Sequence, residues 1–461
     1  MSNRSEKLGS SFRDPSGFIF KRDGKLFRQV NLSYQKEYDR LMSSGLYKLL
    51  TEKGWLVSHE ETKEPPADTA LAYKVIRPQT VPFISYPYEW SFSQLKDAAL
   101  LTLEVAKQAL SKGMILKDAS AYNIQFIDGK PILIDTLSFD TYREGALWDG
   151  YRQFCQHFLA PLALASMVDI RLTQLLRVYI DGIPLDLADK LLPGKTKFGL
   201  SGLALHIHMH ANLQKQYADK PETGSSTLAM GKAAQINMLN GLTKTVSDLK
   251  WEPKGTEWGE YYSATNYSSD SLKLKGEIVG KMIDRVKPVS LWDLGANNGL
   301  FSREGSKRGI FTVASDIDPV AVEKNYLAIK QTAEKSILPL VIDLTNPSAA
   351  IGWANQERDS FFQRGPVDMV MALALIHHIS ISNNVPLGSF AATLASAGKW
   401  AIVEFVPKSD SQVKRLLATR KDIFPQYTEE GFEAAFGEYF KIEQKEKVPG
   451  SERTLYLLKS K

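Results

Sequence analysis

The sequence is poor in cysteine and in long apolar segments. Cys155 is the single cysteine in 461 residues, so no internal disulfide can form, and we expect a reducing, cytoplasmic environment. The most apolar stretches, residues 158–168 and 369–376, are shorter than the ~18 residues that a membrane-spanning helix requires. They indicate buried core. The first residues also lack the apolar run of a secretory signal.

The chain also has only a small net charge. The chain has 57 basic and 52 acidic residues and a net charge of +5, which gives no electrostatic signature of nucleic-acid binding. Its composition is typical of a globular protein. A length of 461 residues exceeds that of an ordinary single domain, so we expect two. Nothing in the sequence indicates the oligomeric state.

Residues 219–233 are rich in small, polar and helix-breaking residues, the composition of an exposed connection. We therefore predict an α+β domain over 1–218, a linker with a connecting helix over 219–255, and a second domain over 256–461. In the first domain, periodicity predicts helices, and two short apolar runs around Asp128-Gly129 predict a hairpin. The predicted helices span 93–112 and 151–180, and the hairpin spans 122–134.

The second domain alternates short apolar runs with helical patterns, which predicts a parallel α/β sheet with right-handed crossovers. The last two runs, joined by residues 449–452, have no helix between them and predict a terminal antiparallel hairpin. The predicted strands are 290–294, 311–315, 338–342, 367–373, 400–405, 440–448 and 453–458.

A turn of small residues follows the strand at 290–294. In the segment Asp293-Leu294-Gly295-Ala296-Asn297-Asn298-Gly299, the glycines allow backbone N–H groups to approach a ligand at the start of a helix. The next strand ends at Asp316, seventeen residues beyond Gly299, about the spacing at which an acid meets a ribose diol. Later strands end at Asp343 and at His377. A nucleoside with a charged tail fits this edge of the sheet.

These motifs resemble the class I S-adenosylmethionine-dependent methyltransferases, whose fold is a Rossmann-like seven-stranded sheet with a terminal antiparallel hairpin. The resemblance implies S-adenosylmethionine as cofactor. By position, Asp316 would then bind the ribose and Asp343 the adenine. Asn297 replaces the family's middle glycine; asparagine tolerates positive φ, and its side chain must point away from the cofactor or hydrogen-bond it. The implied cofactor-binding residues are Asp293, Gly295, Asn297, Gly299, Asp316, Ile317, Asp343 and Leu344.

The domain has two alternative interpretations. An NAD-binding domain would place its glycines as Gly-x-Gly-x-x-Gly, a pattern that Gly295, Asn297 and Gly299 do not satisfy. The other alternative is a cofactor-sensing scaffold without catalysis.

The resemblance also bears on the methyl acceptor. The domain has no cysteine and lacks the Asn/Asp-Pro-Pro-aromatic motif, which leaves an oxygen, or as second choice a carbon, of a small-molecule or glycan-type acceptor. His377 and His378 are candidate bases near neutral pH, or else they pack against the cofactor or cap the strand. Glu404 is a further candidate base, or else part of a solvated loop.

An aromatic cluster precedes the domain's first strand. Trp258, Tyr262 and Tyr267 are predicted to contact the acceptor as a lid, or else to pack an amphipathic helix. The first domain is expected to recognise the same acceptor. The whole pattern, including residues 86–90 and 453–458, resembles bacterial methyltransferases related to a rhizobial nodulation protein, which implies a carbohydrate-like or other hydroxylated acceptor.

The first domain carries a second pattern, at residues 116–123 and 132–139. It resembles the catalytic loop and metal-binding strand of kinases and aminoglycoside phosphotransferases, in which Asp118 would orient an acceptor hydroxyl while Asn123 and Asp135 would hold magnesium. A kinase-like fold and a phosphotransferase are therefore the rival fold and function. The alternative is a hairpin whose acids satisfy neighbouring groups.

Two histidines of the first domain have the spacing of a metal pair. His206 and His210 would share one face of a helix. Because no third ligand is evident, a helix at an interface is the favoured interpretation.

Overall fold

The structure is a computed structural model that describes residues 5–198, 202–209, 230–256, 269–418 and 420–461. The chain forms two compact units. The first unit comprises Met1–Glu252 and Ala350–Asp359, and the second comprises Pro253–Ala349 and Ser360–Lys461. The first unit therefore includes a short segment, 350–359, that lies along the chain between strands of the second. The sequence did not indicate that this segment belongs to the first unit.

The first unit contains a five-stranded antiparallel sheet and two short ribbons. The sheet strands are β1 Glu6–Lys7, β2 Gly17–Arg22, β3 Lys25–Asn31, β4 His59–Thr62 and β5 Ala72–Pro78, in the order β1-β2-β3-β5-β4. The ribbon strands are β6 Met114–Leu116, β7 Ile124–Ile127, β8 Lys130–Leu133 and β9 Phe139–Thr141, pairing β6 with β9 and β7 with β8. The predicted hairpin is β7–β8. Its turn residues Asp128 and Gly129 have φ of 50° and 70°, as a two-residue hairpin turn requires.

The helices of the first unit follow the predictions in part. They are α1 Gln35–Ser43, α2 Leu46–Glu52, α3 Phe92–Ser111, α4 Gly150–Phe154, α5 Ala160–Met167, α6 Leu175–Val178, α7 Leu185–Leu191 and α8 Lys232–Asp248. The prediction of one helix over 151–180 is wrong, because Asp169 is extended and its side chain accepts from the N–H of Arg171. Cys155, in the π-helical turn between α4 and α5, is fully buried. Burial raises the pKa of its thiol to about 12, which fits packing rather than reactivity.

Helix α8 occupies part of the predicted linker. The ammonium group of Lys96 on α3 donates to the carbonyl oxygens of Ser247 and Leu249 at 2.7 and 2.8 Å. The helix is thus anchored inside the first unit by its C-terminal end. Residues 219–229 lie outside the described residues.

The second unit is the predicted α/β sheet. Its strands are β10 Ser290–Leu294, β11 Phe311–Asp316, β12 Ile337–Val341, β13 Val367–Ala372, β14 Gly398–Phe405, β15 Phe440–Lys447 and β16 Thr454–Ser460. Their order is β12-β11-β10-β13-β14-β16-β15, with β16 antiparallel to both of its neighbours. The chain runs outward from β10 in one direction and then in the other, so a topological switch point lies between β10 and β13. This is the expected Rossmann-like seven-stranded sheet with its terminal antiparallel hairpin.

The helices of the second unit are α9 Ser269–Val286, α10 Ser302–Ser306, α11 Pro319–Thr332, α12 Leu387–Ala397, α13 Ser411–Ala418 and α14 Glu429–Gly437. The expectation of a helix in every crossover is wrong between β12 and β13, where the described chain has only 3₁₀ turns. Pro347 and Gly352, the latter with φ of 87°, both oppose a helix there. The helix after the glycine turn is also short.

One core cluster of the second unit lies between α9 and the sheet. Four apolar residues of α9 are 4% exposed or less, namely Ile278, Val279, Met282 and Ile283. They pack with sheet residues that include Leu291, Met369, Met371, Ile402, Leu455 and Leu457. This packing fixes α9 against one face of the sheet. None of the helices in the described ranges is both long and apolar enough to cross a membrane.

Candidate active site

A cavity of about 310 Å³ lies at the carboxyl edge of the parallel strands in the second unit. Residues that follow β10, β11, β12 and β13 line it, and so do Leu272 and Lys275 of α9 and Leu416 of α13. Parallel sheets bind ligands at this edge, beside the switch point. The volume falls at the lower end of the ~300–1,000 Å³ range of small-molecule sites. Of the predicted cofactor-binding residues, only Gly299 does not line the cavity.

The turn after β10 requires glycine at two positions. Gly295 and Gly299 have φ of 74° and 78°. A Cβ added to Gly295 would lie 3.0 Å from Leu375, and one added to Gly299 would lie 2.5 Å from the side chain of Asn325. The backbone N–H of Gly295 donates to the carbonyl oxygen of Ser315 at 2.8 Å, which ties the turn to β11. The turn therefore brings Gly295, which has no side chain, to the cavity wall.

Asn297 adopts the left-handed conformation expected of it, with φ of 50°. Its side-chain Oδ1 accepts from the N–H of Asn298 at 2.9 Å, and its own N–H donates to Asp316 at 2.7 Å. The amide thus supports the turn locally and joins it to the end of β11. A glycine could not supply the first of these bonds.

Two buried carboxyl groups face the cavity. Burial raises the pKa of Asp293 to about 7, although the hydroxyl of Ser302, 2.6 Å away, favours the ionised form. Burial raises the pKa of Asp316 to about 6, against the opposing effect of N–H groups from Asp318 and Asn297. Near neutral pH both carboxyls can change protonation state when a ligand binds.

The part of the cavity beside the ends of β11 and β12 combines apolar surface with one acid. Asp343 accepts from the N–H and hydroxyl of Thr345 at 2.8 and 2.6 Å, which fixes the turn after β12. Ile317 is 54% exposed and lines the cavity together with Leu344. This end can hold a flat, largely apolar ring whose edge carries polar groups.

The two histidines after β13 are placed differently. His378 lines the cavity, whereas His377 is 1% exposed and does not. Their ring centroids are 4.0 Å apart. Burial lowers the pKa of His378 to about 4 and that of His377 well below its usual value, so both are neutral at pH 7. Within the described part of the chain, Nδ1 of His377 has no hydrogen-bond partner.

Glu404 lies at the end of β14 and is fully buried. Its Oε2 is 2.6 Å from Nζ of Lys275, whose side chain is 2% exposed. The alternative interpretation of Glu404 as part of a solvated loop is therefore wrong. The carboxylate also does not line the cavity, whereas Lys275 does.

The predicted acceptor contacts Trp258, Tyr262 and Tyr267 lie outside the described residues, as does His210. His206 Nδ1 lies 2.8 Å from the hydroxyl of Tyr151. In the ranges that the structure describes, no three or more His, Cys, Asp or Glu residues are grouped so that they could hold a metal ion.

In the first unit, the structure brings the kinase-like residues together. Asn123 hydrogen-bonds Asp118 and donates to the hydroxyl of Ser138 at 3.4 Å, and that hydroxyl donates to Asp135 at 2.5 Å. The guanidinium of Arg28, on β3, lies 2.5 Å from the same Asp135 carboxylate. Asp135 is thus already paired with a cation supplied by the chain.

Comparisons with known proteins give one full-length relative. No protein-family model matches the chain. Over 461 residues it is 36% identical to nodulation protein NoeA of Rhizobium meliloti (strain 1021), an alignment that covers 98% of this chain and 96% of the relative. The chain belongs to the NoeA family.

Several solved structures are similar to part of this NoeA-family chain. Magnesium protoporphyrin IX methyltransferase of Synechocystis PCC 6803, with bound SAH, shares 16% identity over 44% of this chain and 91% of its own, with a TM-score of 0.31. N-methyltransferase NodS of Bradyrhizobium japonicum WM9 shares 8% over 42% and 98%, with a TM-score of 0.31. The bifunctional kinase-methyltransferase WbdD shares 16% over 46% and 45%, with a TM-score of 0.30. The fold assignment rests on the strand order, not on these weak similarities.

The sequence did not reveal two charged residues of this NoeA-family chain. Arg28 sits in a strand with no motif around it. Lys275 carries a readable signal, because it falls on the buried face of α9 one turn before Ile278 and Val279. A charged residue on the apolar face of a helix calls for a partner.

Proposed function

We propose that this NoeA-family chain is an S-adenosylmethionine-dependent methyltransferase whose cofactor binds in the cavity of the second unit. The observation that carries the proposal is the set of residues that line the cavity, in which the glycine turn after β10 and the acids near the carboxyl ends of β10 and β11 face one space. The terminal antiparallel hairpin supports a methyltransferase rather than a dehydrogenase.

In this proposal each part of the cofactor is assigned to particular residues. Asp316, at the end of β11, would accept hydrogen bonds from the ribose hydroxyls, as acids at this position do in nucleoside-binding sheets. Ile317 and Leu344 would cover the adenine, with Asp343 at its edge. Asp293 and the backbone of Gly295 would surround the methionine end, where a Cβ on residue 295 would crowd Leu375.

The bound cofactor would supply an electrophilic methyl group. The protein's contribution is mainly to align the acceptor for in-line attack and to exclude water. His378, neutral at pH 7, can accept a hydrogen bond from an acceptor hydroxyl at the cavity wall. Because its pKa is about 4, it is a weak base. It would therefore receive the proton as the methyl group is transferred, when the hydroxyl becomes acidic, rather than before.

We propose an oxygen, or as second choice a carbon, of a small-molecule or glycan-type compound as the acceptor. The chain's single cysteine, Cys155, lies in the first unit, so the second unit cannot form a covalent cysteine adduct. Acceptor contacts from Trp258, Tyr262 and Tyr267 remain part of the proposal, as does acceptor recognition by the first unit.

Calorimetry with S-adenosylmethionine tests the cofactor assignment. Wild-type protein should bind it, and Asp316→Ala should weaken binding by about tenfold or more, since a hydrogen bond to a charged group contributes roughly 1.5–3 kcal/mol. Asp284→Ala is the matched control, because that carboxylate is 61% exposed in a surface ion pair. Absence of binding, or equal binding by the Asp316 variant, contradicts the proposal.

Phosphotransfer by the first unit is the second candidate function. It is favoured by the network that joins Asp118, Asn123 and Asp135 and opposed by Arg28 on Asp135. Magnesium-dependent ATP binding that Asp135→Ala abolishes would support it. Cofactor binding without methyl transfer to any acceptor would instead support the sensing scaffold.

A further inference from the structure

The cavity wall of the second unit includes a buried ion pair. Lys275 lines the cavity, and Glu404 lies behind it, with Nζ and Oε2 2.6 Å apart and side-chain exposures of 2% and 0%. Nζ of Lys275 also lies 4.4 Å from the ring centroid of Phe301, another residue of the wall. The ammonium group is therefore held between a carboxylate and an aromatic face at the boundary of the cavity.

Stability alone does not account for this pair. Removing two charges from water costs several kcal/mol per ion, and apolar residues of similar volume are often as stabilising as a buried pair. Burial accordingly lowers the pKa of Lys275, and Glu404 opposes that shift. Charged groups kept in a cleft despite this penalty are candidates for a role in ligand binding.

An acid of opposite sign lines the same cavity. Asp293 lies near the carboxyl end of β10, and Lys275 and Asp293 are close enough to act on each other electrostatically. The hydroxyl of Ser302 holds one oxygen of Asp293 at 2.6 Å. This end of the cavity therefore presents one ammonium and one carboxyl group, which together complement a zwitterion.

We propose that Lys275 binds the carboxylate of the amino-acid end of S-adenosylmethionine, opposite Asp293, and that Glu404 is the positioning residue that holds the Lys275 ammonium at the wall. This inference rests on the proposed function and adds to it a residue that recognises the charged end of the cofactor. It also changes the role of Glu404, which acts through Lys275 instead of removing a proton from the acceptor.

The test compares two ligands that differ only in the carboxylate. Calorimetry measures S-adenosylmethionine and decarboxylated S-adenosylmethionine on wild-type protein and on Lys275→Met. Wild-type protein should prefer the carboxylate-bearing ligand by about tenfold or more, as expected for a charge-assisted hydrogen bond. In Lys275→Met the two affinities should agree within about twofold, because the missing ammonium and the missing carboxylate report the same interaction.

Three further variants separate recognition from structure. Lys275→Met/Glu404→Gln removes both charges, so no unpaired carboxylate stays buried, and it should also lose the preference. Lys275→Arg keeps the charge and should retain it. Lys273→Met, at an exposed position on the same helix, should match wild type. 5′-Methylthioadenosine, which lacks the whole amino-acid end, should bind all of them alike.

The outcomes distinguish the two proposals. If the wild type binds all three ligands but shows no preference for the one that carries the carboxylate, only the role of Lys275 is overturned. The same holds if Lys275→Met keeps the preference. If the wild type binds none of them, the proposed function fails and this inference with it. Should both charge-removing variants fail to fold, wild type and Lys275→Arg decide: equal affinities overturn the proposal, and a tenfold preference in both supports it.

Discussion

At the scale of single residues, two acids give the candidate site its dependence on pH. The raised pKa values of Asp293 and Asp316, about 7 and about 6, mean that the folded, ligand-free protein retains protons that the unfolded chain releases near pH 4. Its stability from these groups is therefore present below about pH 4 and is lost as the pH rises through 6 and 7.

Cofactor affinity should change with pH in the opposite direction. Ionised Asp316 is the better acceptor for a ribose hydroxyl, and ionised Asp293 the better partner for an ammonium group. We expect affinity for S-adenosylmethionine to rise between pH 5 and pH 8, as calorimetry at several pH values would show. In Asp316→Asn the part of this rise centred near pH 6 should disappear; an unchanged profile would contradict the role given to Asp316.

Gly299 illustrates how closely the turn after β10 is packed. Gly299→Ala must adopt φ of 78° and place its Cβ 2.5 Å from Asn325, a side chain that is 1% exposed and has little room to move. The left-handed conformation alone costs about 1–2 kcal/mol, so urea unfolding should show at least that loss together with weaker cofactor binding.

A glycine elsewhere provides the control for this change. Gly276 lies inside α9, and a Cβ there would meet nothing within 4 Å. Gly276→Ala should therefore leave cofactor binding unchanged and stabilise the protein by roughly 0.4–1 kcal/mol. Equal losses in the two variants would mean that the turn is not specially constrained.

At the scale of elements, the segment 350–359 belongs to the first unit, whereas the residues on either side of it in the chain belong to the second. Glu357, 5% exposed, accepts from the N–H of Trp353 and from the guanidinium of Arg13, both at 2.6 Å. Arg358 lies 4.4 Å from the ring centroid of Tyr122. These contacts explain why the segment belongs to the first unit although it follows β12.

Removing the Glu357 carboxylate should destabilise the first unit. Because Arg13 is 54% exposed, solvent weakens the ion pair, and most of the effect comes from the Trp353 N–H left without its acceptor, about 1–3 kcal/mol. Thermal unfolding of Glu357→Ala measures this. The control is Glu52→Ala, whose carboxylate is 63% exposed beside Lys48 and should change stability by less than about 0.5 kcal/mol; equal shifts would refute the anchoring role.

At the scale of the whole molecule, the two units differ in the surroundings of their candidate functional groups. The second unit has a cavity with ionisable groups on its wall. In the first unit the kinase-like acid Asp135 is bonded by Arg28, Ser138 and the N–H of Leu137. We therefore expect ATP to show no magnesium-dependent binding in calorimetry. Magnesium-dependent binding that is lost in Asp135→Ala would reverse this assignment.

The sequence by itself determined the sheet, the turn after β10 and the positions of Asp316 and Asp343. These predictions use strand periodicity, glycine spacing and the rule that ligands meet the carboxyl ends of parallel strands. Each of these depends only on local sequence or on the topology of the sheet. The β7–β8 hairpin was predictable for the same reason, since Asp128-Gly129 sets its own turn.

Only the tertiary structure decided which charges pair. Lys275 and Glu404 are 129 residues apart along the chain, and segment 350–359 finds its partners, such as Arg13, more than three hundred residues away. Such pairings leave no period in the sequence, because a buried charge is stabilised by whatever group the fold brings beside it. The ion pairs of Glu404 and Arg28 therefore came from the structure, whereas the proposed cofactor site was predicted from the chain's own pattern.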